Sequence, residues 1–92
     1  MEGPRVRQRP EPSVGSLLQY WRKARRLSQL ALAAEAEISS RHLCFLETGR
    51  ARPSREMVLR LASVLDVPLR ERNGLLLAAG FAPVYQESTL EA

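Results

Sequence analysis

The chain has 92 residues, 45% of them apolar, and a formal net charge of +4. This length suits one small domain, and no run of about 20 apolar residues suggests a membrane span. One cysteine cannot form an internal disulfide, and the charged, proline-rich start lacks the apolar segment of a signal peptide. We therefore expect a single domain that functions in a reducing cytoplasm and does not contact a membrane.

Positive charge is concentrated in the first two-thirds of the chain. Residues 1–60 contain twelve basic and six acidic side chains, whereas residues 61–92 contain two and four. Thirteen of the fourteen basic residues are arginines, whose planar guanidinium pairs with phosphate and with guanine. This asymmetry indicates a polyanionic partner such as nucleic acid, but an ordinary solvated surface would show the same charge.

Helix signals recur along the chain after a polar start. Residues 1–12 contain three prolines and three arginines, which predicts a flexible basic arm. Serines 13, 28, 39 and 54 are suitable N-caps, and Gly49 and Gly80 are suitable helix ends. The predicted helices are helix 1 at about 14–27, helix 2 at about 29–36, helix 3 at about 40–48, helix 4 after Ser54 and helix 5 at about 69–79. The domain is expected to span residues 13–82, with a tail or linker at 83–92.

Apolar residues recur at helical spacing, and no segment alternates as a strand would, so the fold class is predicted to be all-α with five short helices. Asn73 falls on the apolar stripe of helix 5, where we expect it to hydrogen-bond nearby backbone. The residues expected to pack inward are Val14, Leu17, Leu18, Trp21, Leu32, Ala33, Ala36, Leu43, Leu46, Met57, Val58, Leu61, Ala62, Leu65, Leu69, Leu76 and Leu77.

Helices 2 and 3 are predicted to fold against each other about a turn at residues 37–39. The small side chains of Ala33 and Ala36 suit a steep crossing of two helices. The outward and flanking positions of helix 3 then carry side chains that could reach base edges in a DNA major groove. These side chains belong to Ser40, Arg41, His42, Cys44 and Phe45.

Arg41 is the main candidate for base reading, since a guanidinium can donate two hydrogen bonds to guanine. Ser40 and His42 can each bond a base or a phosphate. Phe45 suits either a thymine methyl or the protein core, and these alternatives stay open at this point. Cys44 is interpreted as a small spacer that lets the backbone approach DNA.

Catalysis has little support in the sequence, and we predict no enzyme activity, cofactor or metal site. His42 is the only histidine, and no second histidine or cysteine follows it at the spacing of metal ligands. His42 and Cys44 are two residues apart on a helix, so they point about 200° apart and form neither a metal site nor a nucleophile–base pair.

One pattern resembles the helix-turn-helix of the Cro/C1-type (XRE) family of transcription regulators. It reads Gln29-x-x-x-Ala33, then Ile38-Ser39-x-x-x-Leu43-x-x-Leu46-Glu47-x-Gly49. The resemblance extends from about residue 17 to residue 77 and implies a compact five-helix fold of the lambda-repressor-like type. A closer resemblance, over residues 41–43, 47–50, 52–61 and 66–73, is to the N-terminal domain of MmyB-like regulators, where a ligand-binding domain follows.

The family resemblance implies roles for individual residues. Gln29 would touch a phosphate and brace the start of helix 3, while Arg22 would pair with Glu47 as a structural ion pair. Glu37 stands where the family usually has glycine, at a position that often needs a positive φ, which costs a non-glycine residue about 1 kcal/mol. The residues implied to contact DNA are Gln29, Ser39, Ser40, Arg41, His42, Phe45, Thr48, Arg50, Arg52 and Arg55.

These observations predict a sequence-specific DNA-binding domain of a bacterial transcription regulator, associated with the nucleoid in the cytoplasm. Its expected partner is double-stranded DNA, bound by a homodimer on a pseudo-palindromic operator. Helix 5 and the tail, with Leu75, Phe81, Val84 and Tyr85, could form the dimer surface, complete the core or pack on another domain. The alternative is a protein-interaction or antitoxin-like module of the same fold, which would more often show an apolar patch around helix 3 than an arginine-rich rim.

Overall fold

The computed structural model describes residues 12–83, which form five helices and, within that range, no strand. This architecture confirms the predicted all-α fold. The predicted arm and tail lie outside the described residues except for Pro12 and Pro83. In the described part, no helix has the length and apolar character needed to cross a membrane. The helices are α1 (Val14–Ala24), α2 (Gln29–Ala36), α3 (Ser40–Thr48), α4 (Arg55–Val64) and α5 (Leu69–Ala78).

The first four helices begin at the predicted serines. In each case the serine hydroxyl accepts a hydrogen bond from the backbone N–H three residues later, at 2.9–3.1 Å. This bond satisfies one of the N–H groups that a helix start leaves without a partner. α5 differs because Pro68 precedes it and provides no side-chain cap.

The ends of three helices use the left-handed backbone conformation at residues other than glycine. φ is 59° at Arg26, 63° at Glu37 and 54° at Asp66. The prediction of a positive φ at Glu37 is therefore confirmed. Each of these residues carries a Cβ in a region that disfavours it, at a cost of roughly 1 kcal/mol or more.

α1 ends at Ala24, three residues earlier than predicted, because Arg25 and Arg26 form a turn. The Arg25 guanidinium lies 5.3 Å from the centre of the Trp21 ring and donates to the carbonyls of Leu65, at 2.7 Å, and Asp66, at 2.9 Å. These bonds join the end of α1 to the end of α4. They give the carbonyls at the end of α4 a cationic partner, which the helix dipole favours.

The core follows the predicted apolar stripes in α1 to α4. In α5 the prediction of an inward position is confirmed for Asn73 and Leu76 and is wrong for Leu69 and Leu77. Leu75 and Leu76 are buried, whereas Leu69 is 57% exposed and Leu77 is 59% exposed. Leu75 therefore belongs to the core and is not available for a dimer surface. The fully buried residues are Leu18, Leu32, Ala33, Ala36, Leu43, Leu46, Val58, Leu61, Ala62, Leu65, Val67, Leu75 and Leu76.

Candidate nucleic-acid interface

α2 and α3 form the predicted pair of helices about a short turn. Ala33 and Ala36 are buried, so small side chains lie on the inner face of α2, which contacts α3. The chain reverses through the left-handed Glu37, and the N–H of Ile38 donates to the carbonyl of Ala33 at 3.0 Å. This geometry leaves the opposite side of α3 in contact with solvent.

A buried ion pair fixes α3 to α1, as the resemblance implied. The Arg22 Nε donates to Glu47 Oε2 at 2.7 Å, and its Nη2 donates to Oε1 at 3.0 Å. The Glu47 side chain is 0% exposed and that of Arg22 is 12% exposed, so this bidentate pair is shielded from water. Bidentate, charge-assisted hydrogen bonds of this kind are strong and directional.

Gln29 joins the same network from the first turn of α2. Its Nε2 donates to Glu47 Oε1 at 2.8 Å, and the Arg22 Nη1 donates to the carbonyl of Leu27 at 3.0 Å just before α2. The expectation that Gln29 braces the start of α3 is wrong, because Glu47 lies near its C-terminal end. One carboxylate thus links α1, the start of α2 and the end of α3.

Gly15 allows α1 to approach the same end of α3 very closely. A Cβ at this position would lie 2.5 Å from the carbonyl oxygen of Glu47 and 2.7 Å from that of Leu46. Both atoms belong to backbone and cannot rotate away as a side chain could. The position of α3 against α1 therefore depends on the absence of a side chain at residue 15.

The outward side of α3 brings together the residues predicted to meet DNA. Ser40, Arg41 and Thr48 are exposed, while His42, Cys44 and Phe45 are half-buried. Two hydroxyls on this side already have intramolecular partners. The Ser39 hydroxyl accepts from the N–H of His42 at 2.9 Å, and the Thr48 hydroxyl donates to the carbonyl of Cys44 at 2.8 Å.

Phe45 lies between two arginines on this surface. The guanidinium carbon (Cζ) of Arg41 is 5.5 Å from the centre of the Phe45 ring, and that of Arg50 is also 5.5 Å from it. Both distances are within the roughly 6 Å range of cation–π interactions. Phe45 is half-buried and does not belong to the cluster of apolar residues that forms the core.

The remaining basic candidates are Arg50 and Arg52 in the loop after α3 and Arg55 at the start of α4, and all three side chains are exposed. Pro53 is buried and anchors the loop to the body of the domain. Within residues 12–83, the side chains of Arg52 and Arg55 have no hydrogen bond or ion pair, so their charges remain available to a ligand.

Other arginines have structural partners that the sequence pattern did not reveal. Arg60 donates to the carbonyl of Ala36 at the end of α2, at 3.1 Å, and Arg72 donates to the carbonyl of Val67 at 2.7 Å. With Arg25, they bind backbone carbonyls at or just after helix ends. For Arg25 and Arg60 the partner is distant in sequence, so no local signal could have identified it. Four described arginines (Arg22, Arg25, Arg60 and Arg72) are therefore structural, whereas Arg41, Arg50, Arg52 and Arg55 are exposed on α3 or in the segment that follows it.

Comparison with known protein families gives a match over the region that contains α2 and α3. The sequence model of the helix-turn-helix family matches residues 18–72, from the second turn of α1 into α5. No curated protein matches the chain. The matched residues contain the α2–turn–α3 unit and the Arg22–Glu47 pair, so the match agrees with the predicted lambda-repressor-like fold.

Proposed function

Because this chain belongs to the Cro/C1-type family of helix-turn-helix DNA-binding domains, we propose that it is the sequence-specific DNA-binding domain of a bacterial transcription regulator. In this proposal α3 enters the major groove and reads base edges. The observation that carries it is the exposed Arg41 on the outward side of α3, flanked by the exposed Arg50, Arg52 and Arg55. A guanidinium in the first turn of a groove-sized helix, with further cations in the segment that follows the helix, matches the charge pattern of duplex DNA.

Base reading is assigned to the first turns of α3. Arg41 would donate two hydrogen bonds to guanine, while the exposed Ser40 and the half-buried His42 would bond neighbouring bases or phosphates. The Ser39 hydroxyl already accepts the N–H of His42, but it keeps its own hydrogen to donate to a phosphate or a base. These contacts would decide which sequence is preferred.

Phosphate contacts are assigned to the rim. Arg50, Arg52 and Arg55 follow one another along the loop into α4, while Gln29 begins α2 and Thr48 ends α3. The Thr48 hydroxyl donates to the carbonyl of Cys44, so a phosphate contact would require its hydrogen to turn away from that carbonyl. One amide hydrogen of Gln29 is held by Glu47, so the same side chain can link the buried network to a phosphate. Such contacts supply affinity that is independent of sequence and falls steeply with salt.

A dimer is part of the proposal, since one domain covers only half of a typical operator. Two domains related by two-fold symmetry would place their copies of α3 about 34 Å apart, one turn of DNA. The exposed Leu77 on α5 is available to such an interface, and the buried Leu75 is not. A following ligand-binding domain, as in MmyB-like regulators, would connect effector binding to this dimer at the bacterial nucleoid.

A pair of arginine variants tests the division of roles. The reference duplex is one that the purified protein enriches from a random pool. Arg41→Ala should abolish the preference for this enriched duplex over random DNA while leaving weak, salt-sensitive binding. Arg52→Ala should weaken binding to both duplexes and lower the slope of log affinity against log salt by about one. Fluorescence anisotropy at several salt concentrations measures both quantities. Equal losses of Arg41→Ala on the two duplexes would remove base reading from Arg41, and an unchanged slope would remove Arg52 from the phosphate contacts.

The alternative function, a protein-interaction module, requires a different surface. Among residues 12–83, the large apolar side chains that are most exposed are Tyr20, Leu30, Leu69 and Leu77, on α1, α2 and α5. On α3, all of whose residues are described, the outward side is polar or basic apart from the half-buried Cys44 and Phe45. This distribution supports DNA as the partner of α3.

A further inference from the structure

Phe45 occupies a position where one aromatic ring touches two cations with different proposed roles. The Cζ atoms of Arg41 and Arg50 each lie 5.5 Å from the ring centre. The two guanidiniums are therefore held within twice that distance of each other, although their charges repel. The ring provides the attraction that offsets this repulsion, because the faces of an aromatic ring carry partial negative charge.

The backbone explains why both arginines reach the same ring. Arg41 precedes Phe45 by four residues on α3, which places their side chains on one face of the helix. After α3 the chain turns through Gly49, whose φ is 83°. This turn lets the N–H groups of Arg50 and Ala51 donate to the carbonyl of Phe45, at 2.9 and 3.1 Å, and so returns Arg50 to the ring.

We propose that Phe45 is a positioning residue that orders Arg41 toward the bases and Arg50 toward the adjoining phosphate. This inference rests on the proposed function and adds a residue that acts on specificity through Arg41 and on affinity through Arg50. A guanidinium held by the ring loses less side-chain freedom when it binds DNA, so part of the ordering cost is met before the complex forms. Two cations held against one ring also favour an anion near them.

The alternative role of Phe45, a direct contact with a thymine methyl, makes a different prediction. A positioning residue acts only while its arginines are present, whereas a direct contact persists without them. Phe45→Leu and Phe45→Tyr are the informative variants, since leucine removes the aromatic face and tyrosine keeps it. Far-ultraviolet circular dichroism and thermal unfolding of each variant establish that α3 is intact.

The first measurement needs no DNA. In the free protein, the ring should shift the NMR resonances of the side chains of Arg41 and Arg50, and the exposed Arg55 serves as an internal control. Phe45→Leu should abolish the shifts of the first two residues and leave that of Arg55 unchanged, while Phe45→Tyr should retain them. Wild-type resonances of Arg41 and Arg50 that match those of Arg55 would overturn the proposal, whatever the protein binds.

The second measurement uses a duplex enriched from a random pool by the purified protein. Phe45→Leu should weaken binding roughly five- to tenfold, and Phe45→Tyr by less than about twofold. In a protein that also carries Arg41→Gln and Arg50→Gln, Phe45→Leu should cost less than about twofold, because the groups it acts through are gone. A full loss in that background would show that Phe45 touches DNA itself and would refute the positioning role. If no duplex is enriched, the proposed function fails, and the NMR shifts still decide whether Phe45 orders the two arginines.

Discussion

At Gly15, α1 packs closely against the C-terminal end of α3, and Gly15→Ala tests how strongly this contact fixes the position of α3. An alanine Cβ would lie 2.5 Å from the Glu47 carbonyl oxygen, 2.7 Å from that of Leu46 and 2.9 Å from the Glu47 carbonyl carbon. All three distances fall well inside the 3.4 Å at which ordinary van der Waals contact begins. The helices must therefore move apart, which strains the Arg22–Glu47 pair that joins them.

The expected loss in the free energy of unfolding is roughly 1–3 kcal/mol, the usual cost of adding a methyl group to a tightly packed site. For a domain of this size each kcal/mol lowers the melting temperature by about 4–8 °C. Alanine also favours a helix over glycine, by up to about 1 kcal/mol in the helix interior, but less near the helix start where residue 15 lies. The steric term should prevail.

Thermal and urea unfolding, followed by circular dichroism, measure this effect, and Gly74→Ala is the matched control. Gly74 lies inside α5, and a Cβ there would meet nothing within 4 Å. The same substitution should therefore raise stability at residue 74, by up to about 1 kcal/mol, and lower it at residue 15. Equal effects at the two positions would refute the close approach of α1 to α3.

Three further experiments, two with substitutions and one with a chemical label, test other parts of the domain. Glu37→Gly should stabilise it by about 1 kcal/mol, because φ is 63° there, whereas Glu35→Gly in helical backbone should destabilise it by a similar amount in urea unfolding. Glu47→Gln should cost about 3–5 kcal/mol, because it leaves the charge of Arg22 shielded from water without a counter-charge; a loss under about 0.5 kcal/mol would mean that the pair is not buried in solution. DNA should slow maleimide labelling of Cys44, the only cysteine, and equal rates with and without DNA would place α3 outside the interface.

Local features of this fold were predictable from the sequence because they depend on nearby residues. The serine caps and the glycine after α3 set the bounds of α2 and α3 as predicted. Helical periodicity identified the inward faces of α1 to α4, where apolar and polar positions are well separated. The pairing of Arg22 with Glu47 came from the family resemblance, since two residues that are 25 positions apart leave no local pattern.

Features that depend on neighbouring helices were not predictable in this way. Residues 75–77 are three consecutive leucines, which cover too wide an arc for periodicity to show which ones face inward. The contacts of α5 with α1 and α4 decide that Leu75 and Leu76 are buried and that Leu77 is exposed. The end of α1 was predicted three residues too late for a similar reason, because Arg25 donates hydrogen bonds to carbonyls about 40 residues away.

The central claim is that α3 reads a DNA sequence, and selection from a random duplex pool tests it most directly. The purified protein should be used at a low and a high salt concentration, because phosphate contacts weaken with salt while base contacts carry the preference. The expected result is recovery of one motif at both concentrations, arranged as two half-sites about 34 Å apart. Binding that leaves the pool random at both concentrations would contradict it.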